Sequence, residues 1–268
     1  MDFAGLLRYT CSYIKLAGDN LFMKKSVFML LALLGAGMIL AGCKSTSVAL
    51  ADHTPIAVIT VVANHSLPWK EDDDPNDDSG KVQDGTLTTL VNKLINSDNI
   101  EFASGQDRVD YAMDSLTHLL EETGGFEVID KEDVYKSKEY LNSRENIFNV
   151  LEARVKATGS KDFMKVGSMK ARTFAKSLGA KSLVFAEFKF QKTNVRGNKW
   201  SGQVAASVTM RIRVLSDDGK ELIDRDYSAV SADSLQIQGR KYDKDRLVEM
   251  MNETIDVVIN RFIMDYII

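Results

Sequence analysis

From Gln203 to Val214 the chain reads Gln203-Val204-Ala205-Ala206-Ser207-Val208-Thr209-Met210-Arg211-Ile212-Arg213-Val214. The apolar positions with a spacing of two are Val204, Ala206, Val208, Met210, Ile212 and Val214. This period places their side chains on one face of a β-strand, and most of the side chains between them, which are polar, on the other. The stretch therefore predicts a strand of an antiparallel sheet, with one apolar face and one wetter face.

Two further stretches extend this strand into a sheet. The same alternation runs from Val184 to Phe190, and a third extended stretch runs from Glu221 to Ser231. Turn-forming residues at 194–198 and at Asp217-Asp218-Gly219 separate the three stretches. We therefore predict an antiparallel three-strand meander.

The flanking segments predict helices and two more strands. Apolar residues recur at i, i+3, i+4 and i+7 from Gln106 to Thr123 and along Asp243 to Ile267, which predicts amphipathic helices. Further predicted elements are helices at Thr86–Asn96, Ser143–Ala157 and Phe163–Leu178, and strands at Ile56–Ala63 and Phe126–Asp130. Because the helices and the sheet each have an apolar face to bury, we expect an α/β (α+β) layered sandwich. In this sandwich, amphipathic helices pack on a mixed sheet.

The N-terminal region has the layout of a secretory signal. Met23-Lys24-Lys25 precedes the apolar run Val27–Leu40 and small residues that end on Cys43. The run is too short to span a bilayer, which needs about 20 apolar residues. Leu40-Ala41-Gly42-Cys43 resembles the lipobox of bacterial lipoproteins. The resemblance implies cleavage between Gly42 and Cys43, a diacylglycerol and an N-acyl chain such as palmitate on Cys43, and no separate cofactor.

These motifs divide the chain into four segments. Residues 1–22 precede a complete signal, so we expect translation to start at Met23. Residues 23–42 form the signal peptide, residues 43–55 a lipidated tether, and residues 56–268 a single periplasmic α/β domain. In the lipoprotein family the residue after the acylated cysteine directs sorting, and Lys44 implies the outer membrane. We therefore expect a lipid-anchored protein of the cell envelope that faces the periplasm.

Composition argues against several classes of function. The chain carries 34 Lys and Arg against 38 Asp and Glu, interspersed, which does not favour nucleic-acid binding. Its three histidines are far apart, and it lacks the common motifs of hydrolases, phosphate-binding enzymes and zinc proteases. The acidic run Asp72–Asp78 has Gly85 where an EF-hand loop has its bidentate Glu. We expect neither an enzyme nor a metal site.

Two groups of residues are candidates for binding a partner. Trp69 follows the first strand in a loop, where it would anchor a partner if exposed, or pack on the core if the loop folds back. Arg211 and Arg213 lie on the wetter face of the central strand, where a partner would meet them.

The terminal helix is either a core element or a membrane-seeking one. Its broad apolar face includes Val258, Phe262 and Ile263, opposite a narrow acidic stripe that includes Glu249 and Glu253. Helices that lie in a membrane surface usually carry Lys and Arg on their polar face, which meet anionic head groups. Because this stripe is acidic, we expect the helix to pack against the sheet.

Short motifs in the mature region resemble a group of bacterial envelope lipoproteins. They are Ile56-Ala57-Val58-Ile59 followed by Asn64-His65-Ser66, the segment Phe126–Asp130, and the helix–Gly–Ala–strand step from Ala171 to Phe185. The group includes the curli-secretion lipoprotein and the outer-membrane activators of penicillin-binding proteins. The resemblance implies a non-catalytic accessory that binds another envelope component.

Other features resemble a different group. The acidic loop after Trp69 and the helical stretches between Ser143 and Leu178 depart from the first group. Extra amphipathic helices with a lipid anchor resemble spirochaetal outer-membrane lipoproteins, and this resemblance implies insertion of such helices into the membrane. Two functions therefore stay open. One is binding an envelope protein as an assembly or regulatory accessory; the other is lipid binding or membrane insertion through amphipathic helices.

Overall fold

Six strands form one mixed sheet within the residues that the structure describes. A computed structural model describes residues 49–72, 99–145 and 154–266, all within the compact unit Val48–Ile268. The strands are β1 (Ile56–Ala63), β2 (Val155–Lys156), β3 (Ser182–Gly197), β4 (Ser201–Ser216), β5 (Glu221–Val230) and β6 (Leu235–Gln238). Their order is β2-β1-β3-β4-β5, and β6 pairs with the part of β4 that extends past β5.

The pairings within this sheet match the expected architecture. β3, β4 and β5 are antiparallel neighbours, which confirms the predicted meander. β1 runs parallel to β3, so the sheet is mixed, as expected. Every residue of β1 is buried, because its alternate side chains enter two different apolar clusters on the two faces of the sheet. A strand in that position needs a continuously apolar sequence, which β1 has.

Helices cover both faces of the sheet. They are α1 (Ile100–Ala103), α2 (Gly105–Glu122), α3 (Lys131–Lys136), α4 (Lys138–Asn142), α5 (Ser168–Leu178) and α6 (Lys244–Met264). α2 and α6 pack on the face to which Val208, Met210 and Ile212 point, whereas α3, α4 and α5 pack on the other face. The predicted layered sandwich is thus confirmed. No helix in the described ranges is long and apolar enough to cross a membrane.

The two long helices, α2 and α6, match the ones predicted from the 3.6-residue period. α2 is followed by Gly124-Gly125, and Gly125 adopts φ +64°, a left-handed conformation that suits glycine. α6 begins after Asp243, whose carboxylate accepts a hydrogen bond from the backbone N–H of Arg246 at 3.0 Å. Local sequence therefore sets the end of one helix and the start of the other.

The predicted strand Phe126–Asp130 is wrong, because only Val128 pairs with the sheet, through one parallel bridge to Ile56. The Ile56 N–H donates to the Glu127 carbonyl at 2.8 Å, and the Ile129 N–H donates to the Ile56 carbonyl at 2.8 Å. The carboxylate of Asp130 then caps α3 by accepting from the Glu132 N–H at 2.7 Å. The chain therefore turns into a helix before a second bridge forms.

The helix predicted at Ser143–Ala157 is wrong where the structure describes it. Residues 143–145 are not helical, and Val155–Lys156 forms β2, antiparallel to the end of β1. The open edge of β1 offers unpaired backbone groups, and pairing with them requires an extended chain. The helix predicted at Thr86–Asn96 lies outside the described residues.

Two smaller differences concern α5 and β6. The helix predicted from Phe163 begins only at Ser168, because Gly167 is extended at its N-terminal boundary. Phe163 packs instead beside Phe174, in the apolar cluster on the sheet face that α3, α4 and α5 cover. β6 is not among the predicted strands, since its four residues, Leu235–Gln238, are too few to show a reliable period.

Candidate functional site

The β3–β4 hairpin continues beyond the end of β1 and turns at Asn198–Trp200. The Asn198 side chain shapes the turn, because its Oδ1 accepts hydrogen bonds from the N–H groups of Trp200 at 2.8 Å and Ser201 at 3.0 Å. Gly197 adopts φ +78°, and a Cβ on Gly202 would lie 2.2 Å from a backbone oxygen. Both positions therefore require glycine, and the turn is tight.

Trp200 stands at this turn with 58% of its surface exposed. The guanidinium of Arg240, from the turn after β6, covers the indole with Cζ 3.3 Å from the ring centroid. Arg240 adopts φ +68°, a left-handed conformation that costs a non-glycine residue about 1–2 kcal/mol. Its N–H donates to the Trp200 carbonyl at 3.2 Å, and Gln238 and Lys241 exchange backbone hydrogen bonds on either side. These contacts hold an indole and a guanidinium together at the surface.

Trp69 folds back beside the same turn and is half-buried against the core. Its ring meets Tyr242 edge-on, with centroids 6.5 Å apart. The ammonium groups of Lys192 and Lys199 lie 5.3 and 5.4 Å from its centroid, within cation–π range. Of the two positions considered for Trp69, the structure shows the one packed on the core. Whether a partner contacts its exposed part stays a prediction.

A buried ion pair lies beneath Trp69. Lys192 Nζ and Glu101 Oε2 are 2.9 Å apart, and the two side chains are 10% and 9% exposed. The hydroxyl of Tyr242 donates to the other carboxylate oxygen of Glu101. Burial and this carboxylate raise the pKa of Tyr242 well above its ordinary value, so the phenol keeps its proton at neutral pH. The cluster joins α1, β3 and the segment before α6.

Arg108 extends this network below the loop that carries Trp69. The side chain is 1% exposed and donates to the carbonyls of Glu101 at 3.1 Å and His65 at 2.6 Å. Burial lowers the pKa of Arg108 to about 10, while Glu101 and Asp107 oppose the shift, so the guanidinium stays charged at neutral pH. A Cβ on Gly105 would lie 2.8 Å from His65 Nδ1, so the loop packs directly on the start of α2.

The surface around Trp200 is basic. Residues 192–203 contain three Lys or Arg, residues 234–242 contain two, and neither segment contains an Asp or Glu. The carboxylate of Glu71 reaches β3 nearby, where it accepts hydrogen bonds from the Thr193 hydroxyl and the Asn194 N–H. This surface, the basic–aromatic tip, comprises Arg196, Lys199, Trp200, Arg240 and Lys241.

Arg211 and Arg213 lie on the outward face of β4, away from this tip. Arg211 makes a two-point contact with Asp224, at 3.1 and 3.0 Å, which raises the pKa of the arginine and lowers that of the aspartate. Arg213 contacts Glu221 at 2.9 Å and donates to two backbone carbonyls of the segment before α5. Exposed pairs of this kind contribute about 0–1 kcal/mol each to stability. Partner binding at these arginines stays a prediction.

The apolar face of α6 packs in the cluster between α2, α6 and the sheet. Its residues Val258, Phe262 and Ile263 have no solvent exposure. On the polar side of the helix, Asp256 accepts hydrogen bonds from the hydroxyls of Tyr111, at 2.8 Å, and Ser115 in α2. Burial and this carboxylate raise the pKa of Tyr111 to about 12. Part of the acidic stripe therefore forms a helix–helix contact.

The remaining predicted sites lie outside the described residues. These are Gly42, Cys43 and the acidic run after Asp72, so lipidation of Cys43 stays a prediction. Across the described ranges, no group of three or more His, Cys, Asp or Glu side chains is placed to hold a metal ion.

The Trp200–Arg240 pair is not among the sites predicted from the sequence. Asn198 and Gly202 flank Trp200 and are turn residues, so they were a usable signal that this indole is exposed at a hairpin turn. The contact with Arg240 had no comparable signal, because it depends on β6 pairing with the far end of β4.

Comparisons with known proteins give three similar chains, all among solved structures. No family model and no curated protein matches the chain. Among solved structures, the C-terminal domain of LpoB from Salmonella enterica is similar over 67% of this chain and 89% of that one. The sequence identity is 10% and the TM-score is 0.28, values too low to support an argument about function.

Proposed function

We propose that this chain is a membrane-anchored lipoprotein of the cell envelope. It binds another envelope component as an assembly or regulatory accessory and performs no catalysis. The exposed Trp200–Arg240 pair carries this proposal. Trp and Arg are among the residues most enriched at the energetic centres of protein interfaces, and here they form one contiguous surface.

The basic–aromatic tip is already ordered for binding. The Asn198 side chain fixes the turn, and the Trp200 carbonyl holds the left-handed backbone of Arg240. Groups that are rigid before binding lose less conformational entropy when a partner arrives. Beneath the neighbouring Trp69, the side chains of Glu101, Lys192 and Tyr242 pair with one another by an ion pair and a hydrogen bond, which gives these buried polar groups a structural role.

The sequence supports the membrane anchor. Leu40-Ala41-Gly42-Cys43 follows a charged and then apolar stretch, as the signal of a lipoprotein does. A diacylglycerol and an N-acyl chain on Cys43 would hold the domain at a membrane, and Lys44 favours the outer membrane. The partner is then an envelope protein or lipid that the domain reaches from the periplasm.

Membrane insertion through amphipathic helices is the second function considered. The apolar face of α6 already packs on α2, β4 and β5, so insertion would require the helix to leave the core. The apolar face of α2, which includes Val109, Met113 and Leu116, is buried in the same cluster. The long helices of the described ranges therefore favour partner binding.

Site-specific photo-crosslinking in cells that produce the full chain tests the proposal. A benzophenone amino acid replaces either Val195, beside the tip, or Val257 on α6, which are 49% and 43% exposed. We expect a discrete adduct from position 195 and none from position 257. Adding Trp200→Ala should reduce the adduct at least about tenfold, the loss expected for a side chain worth about 1.4 kcal/mol or more.

Met264→Ala is the matched control, because this side chain is 63% exposed and lies on α6. It should leave the adduct at position 195 unchanged. Equal adducts from both crosslinker positions, or an adduct that survives Trp200→Ala, would show that the tip is not the binding surface.

A further inference from the structure

A cationic stripe lies on the outward side of α5. The buried residues of this helix are at 171, 174 and 175, so Met169, Arg172 and Lys176 face solvent. From Phe163 to Ala186 the chain carries five Lys or Arg and no Asp or Glu. Met169 is 83% exposed at the start of the helix, which places an apolar side chain beside these cations.

The β4–β5 turn brings two acidic residues close to this stripe. Hydrogen bonds from Ser216 and Lys220 and the charge of Arg172 lower the pKa of one of them, Asp218. Asp217 pairs with Lys181 at 3.0 Å. The carboxylate of Asp218 accepts hydrogen bonds from the Ser216 hydroxyl and the Lys220 N–H. Arg172 donates its Nε–H to a backbone carbonyl of this turn and, like Lys176, forms no ion pair within the described part of the chain.

A shallow cleft of about 430 Å³ lies between the end of α5 and this turn. Its lining includes Lys176 and Lys181, but also Asp217 and Asp218. Carboxylates inside a small cleft repel an anion at short range. The outward stripe of α5, rather than the cleft, is therefore the surface suited to anions.

The chain enters the sheet at the same end. The hydroxyl of Ser182 donates to the His53 carbonyl at 2.8 Å, and the Lys181 N–H donates to the Pro55 carbonyl at 2.8 Å. The segment before β1 therefore runs beside the end of α5. Residues 43–49 span at most about 21 Å when fully extended. A lipid on Cys43 would keep this end of the domain near the membrane surface.

We propose that the outward face of α5 rests on anionic phospholipid head groups of the leaflet that holds the Cys43 lipid. The inference rests on the proposed lipidation of Cys43. Each Lys or Arg close to an anionic membrane surface strengthens attachment about fivefold. The acyl chains retain the protein at the membrane, while α5 sets the orientation of the domain, with the sheet face that α5 covers towards the lipid and the face that α6 covers away from it.

The test uses the mature lipidated chain reconstituted in phosphatidylcholine vesicles with or without phosphatidylglycerol. An environment-sensitive dye is attached through Met169→Cys or, as a control, through Val257→Cys, which is exposed on α6 at the opposite face of the sheet. Cys43 is acylated and Cys11 precedes the cleavage site, so neither competes for the dye. We expect quenchers on the lipid head groups to reach position 169 only when phosphatidylglycerol is present. They should not reach position 257. Raising the salt to about 1 M should abolish the quenching, because the Debye length falls to about 3 Å.

Charge substitutions sharpen the test. Arg172→Gln with Lys176→Gln should lower the ratio of docked to undocked domain about 25-fold, because two cations are lost. Arg225→Gln with Arg261→Gln removes two exposed arginines associated with β5 and α6 and should leave the ratio unchanged. Position 169 remaining unquenched, or being quenched equally without phosphatidylglycerol, overturns the docking proposal. A chain that does not stay with the vesicles contradicts the lipid anchor itself, and the docking proposal with it.

Discussion

Val208→Asp tests the assignment of the two faces of β4. Val208 lies in the middle of the strand, opposite Phe190 of β3 and Ala229 of β5, and has no solvent exposure. Its side chain belongs to the apolar cluster that α6 covers. A carboxylate at this position would point into that cluster, which is otherwise apolar.

Two contributions set the magnitude for Val208→Asp. Loss of a fully buried valine removes about 1.5–3 kcal/mol of apolar burial. Full burial shifts a carboxyl pKa by about 3–5 units, and the roughly 3 units that lie below pH 7 contribute about 4 kcal/mol at neutral pH, at 1.36 kcal/mol each. Together they rival the whole stability of an ordinary domain, about 5–15 kcal/mol. We therefore expect the Val208→Asp protein to be largely unfolded at pH 7.

Thr209→Asp is the matched control. Thr209 faces the opposite side of the sheet, beside Lys189 and Ser228 in register, and its hydroxyl is 3.0 Å from that of Ser228. Losing this cross-strand contact costs about 0.2–1 kcal/mol, and the new carboxylate stays in water. Urea titration followed by circular dichroism measures both variants. An equal loss in the free energy of unfolding from the two substitutions would refute the assignment of the faces.

The pH dependence of Val208→Asp gives a second check with a definite sign. Burial raises the pKa of the introduced carboxyl above its unfolded value of about 3.9. The penalty is therefore complete at pH values above the raised pKa, and it shrinks as the pH falls towards about 4. The variant should regain stability relative to the parent on mild acidification. A pH-independent difference would mean that the introduced carboxyl is not buried.

Two further predictions concern the anchor and the terminal helix. Cys43→Ala should abolish incorporation of labelled palmitate and leave an uncleaved precursor, and palmitate that still enters the variant would contradict lipidation at this residue. Val258→Asp should cost several kcal/mol in urea titrations, since Val258 has no solvent exposure, whereas Val257→Asp, next to it and 43% exposed, should be tolerated. A folded Val258→Asp protein that has lost binding to vesicles would instead make α6 a membrane helix.

The elements that the sequence analysis locates correctly are those whose environment repeats regularly along the chain. β4 meets α6 on one side and mostly polar surroundings on the other over its second half, so its side chains alternate. α2 buries one stripe through almost its whole length, so its apolar residues follow the helical period. Where one packing partner covers a helix or strand along its whole length, the buried residues recur with a regular period, and the sequence shows that period.

The elements that the sequence analysis misses depend on distant parts of the chain. β2 is extended because the edge of β1 lies beside it, although β2 follows β1 by about 90 residues. Val128 pairs for one residue because Asp130 already starts a helix. In both places the secondary structure depends on a strand partner that lies far away in the sequence, so the pattern of the neighbouring residues does not reveal it. The Trp200–Arg240 contact belongs to the same class, because β6 creates it.

The length of β3 links the two proposed surfaces. At about 3.3 Å per residue, its 16 residues place the α5 end of the sheet and the basic–aromatic tip about 50 Å apart. The segment from Cys43 to Ala49 spans at most about 21 Å, so a lipid on Cys43 would keep the α5 end of the sheet close to the leaflet. Because α5 packs on one face of the sheet, contact of its outward side with the leaflet would lay the strands along the membrane, and the length of β3 would separate α5 from Trp200 mainly in the membrane plane. A partner anchored in the same membrane would then meet the basic–aromatic tip beside the domain, about 50 Å from α5.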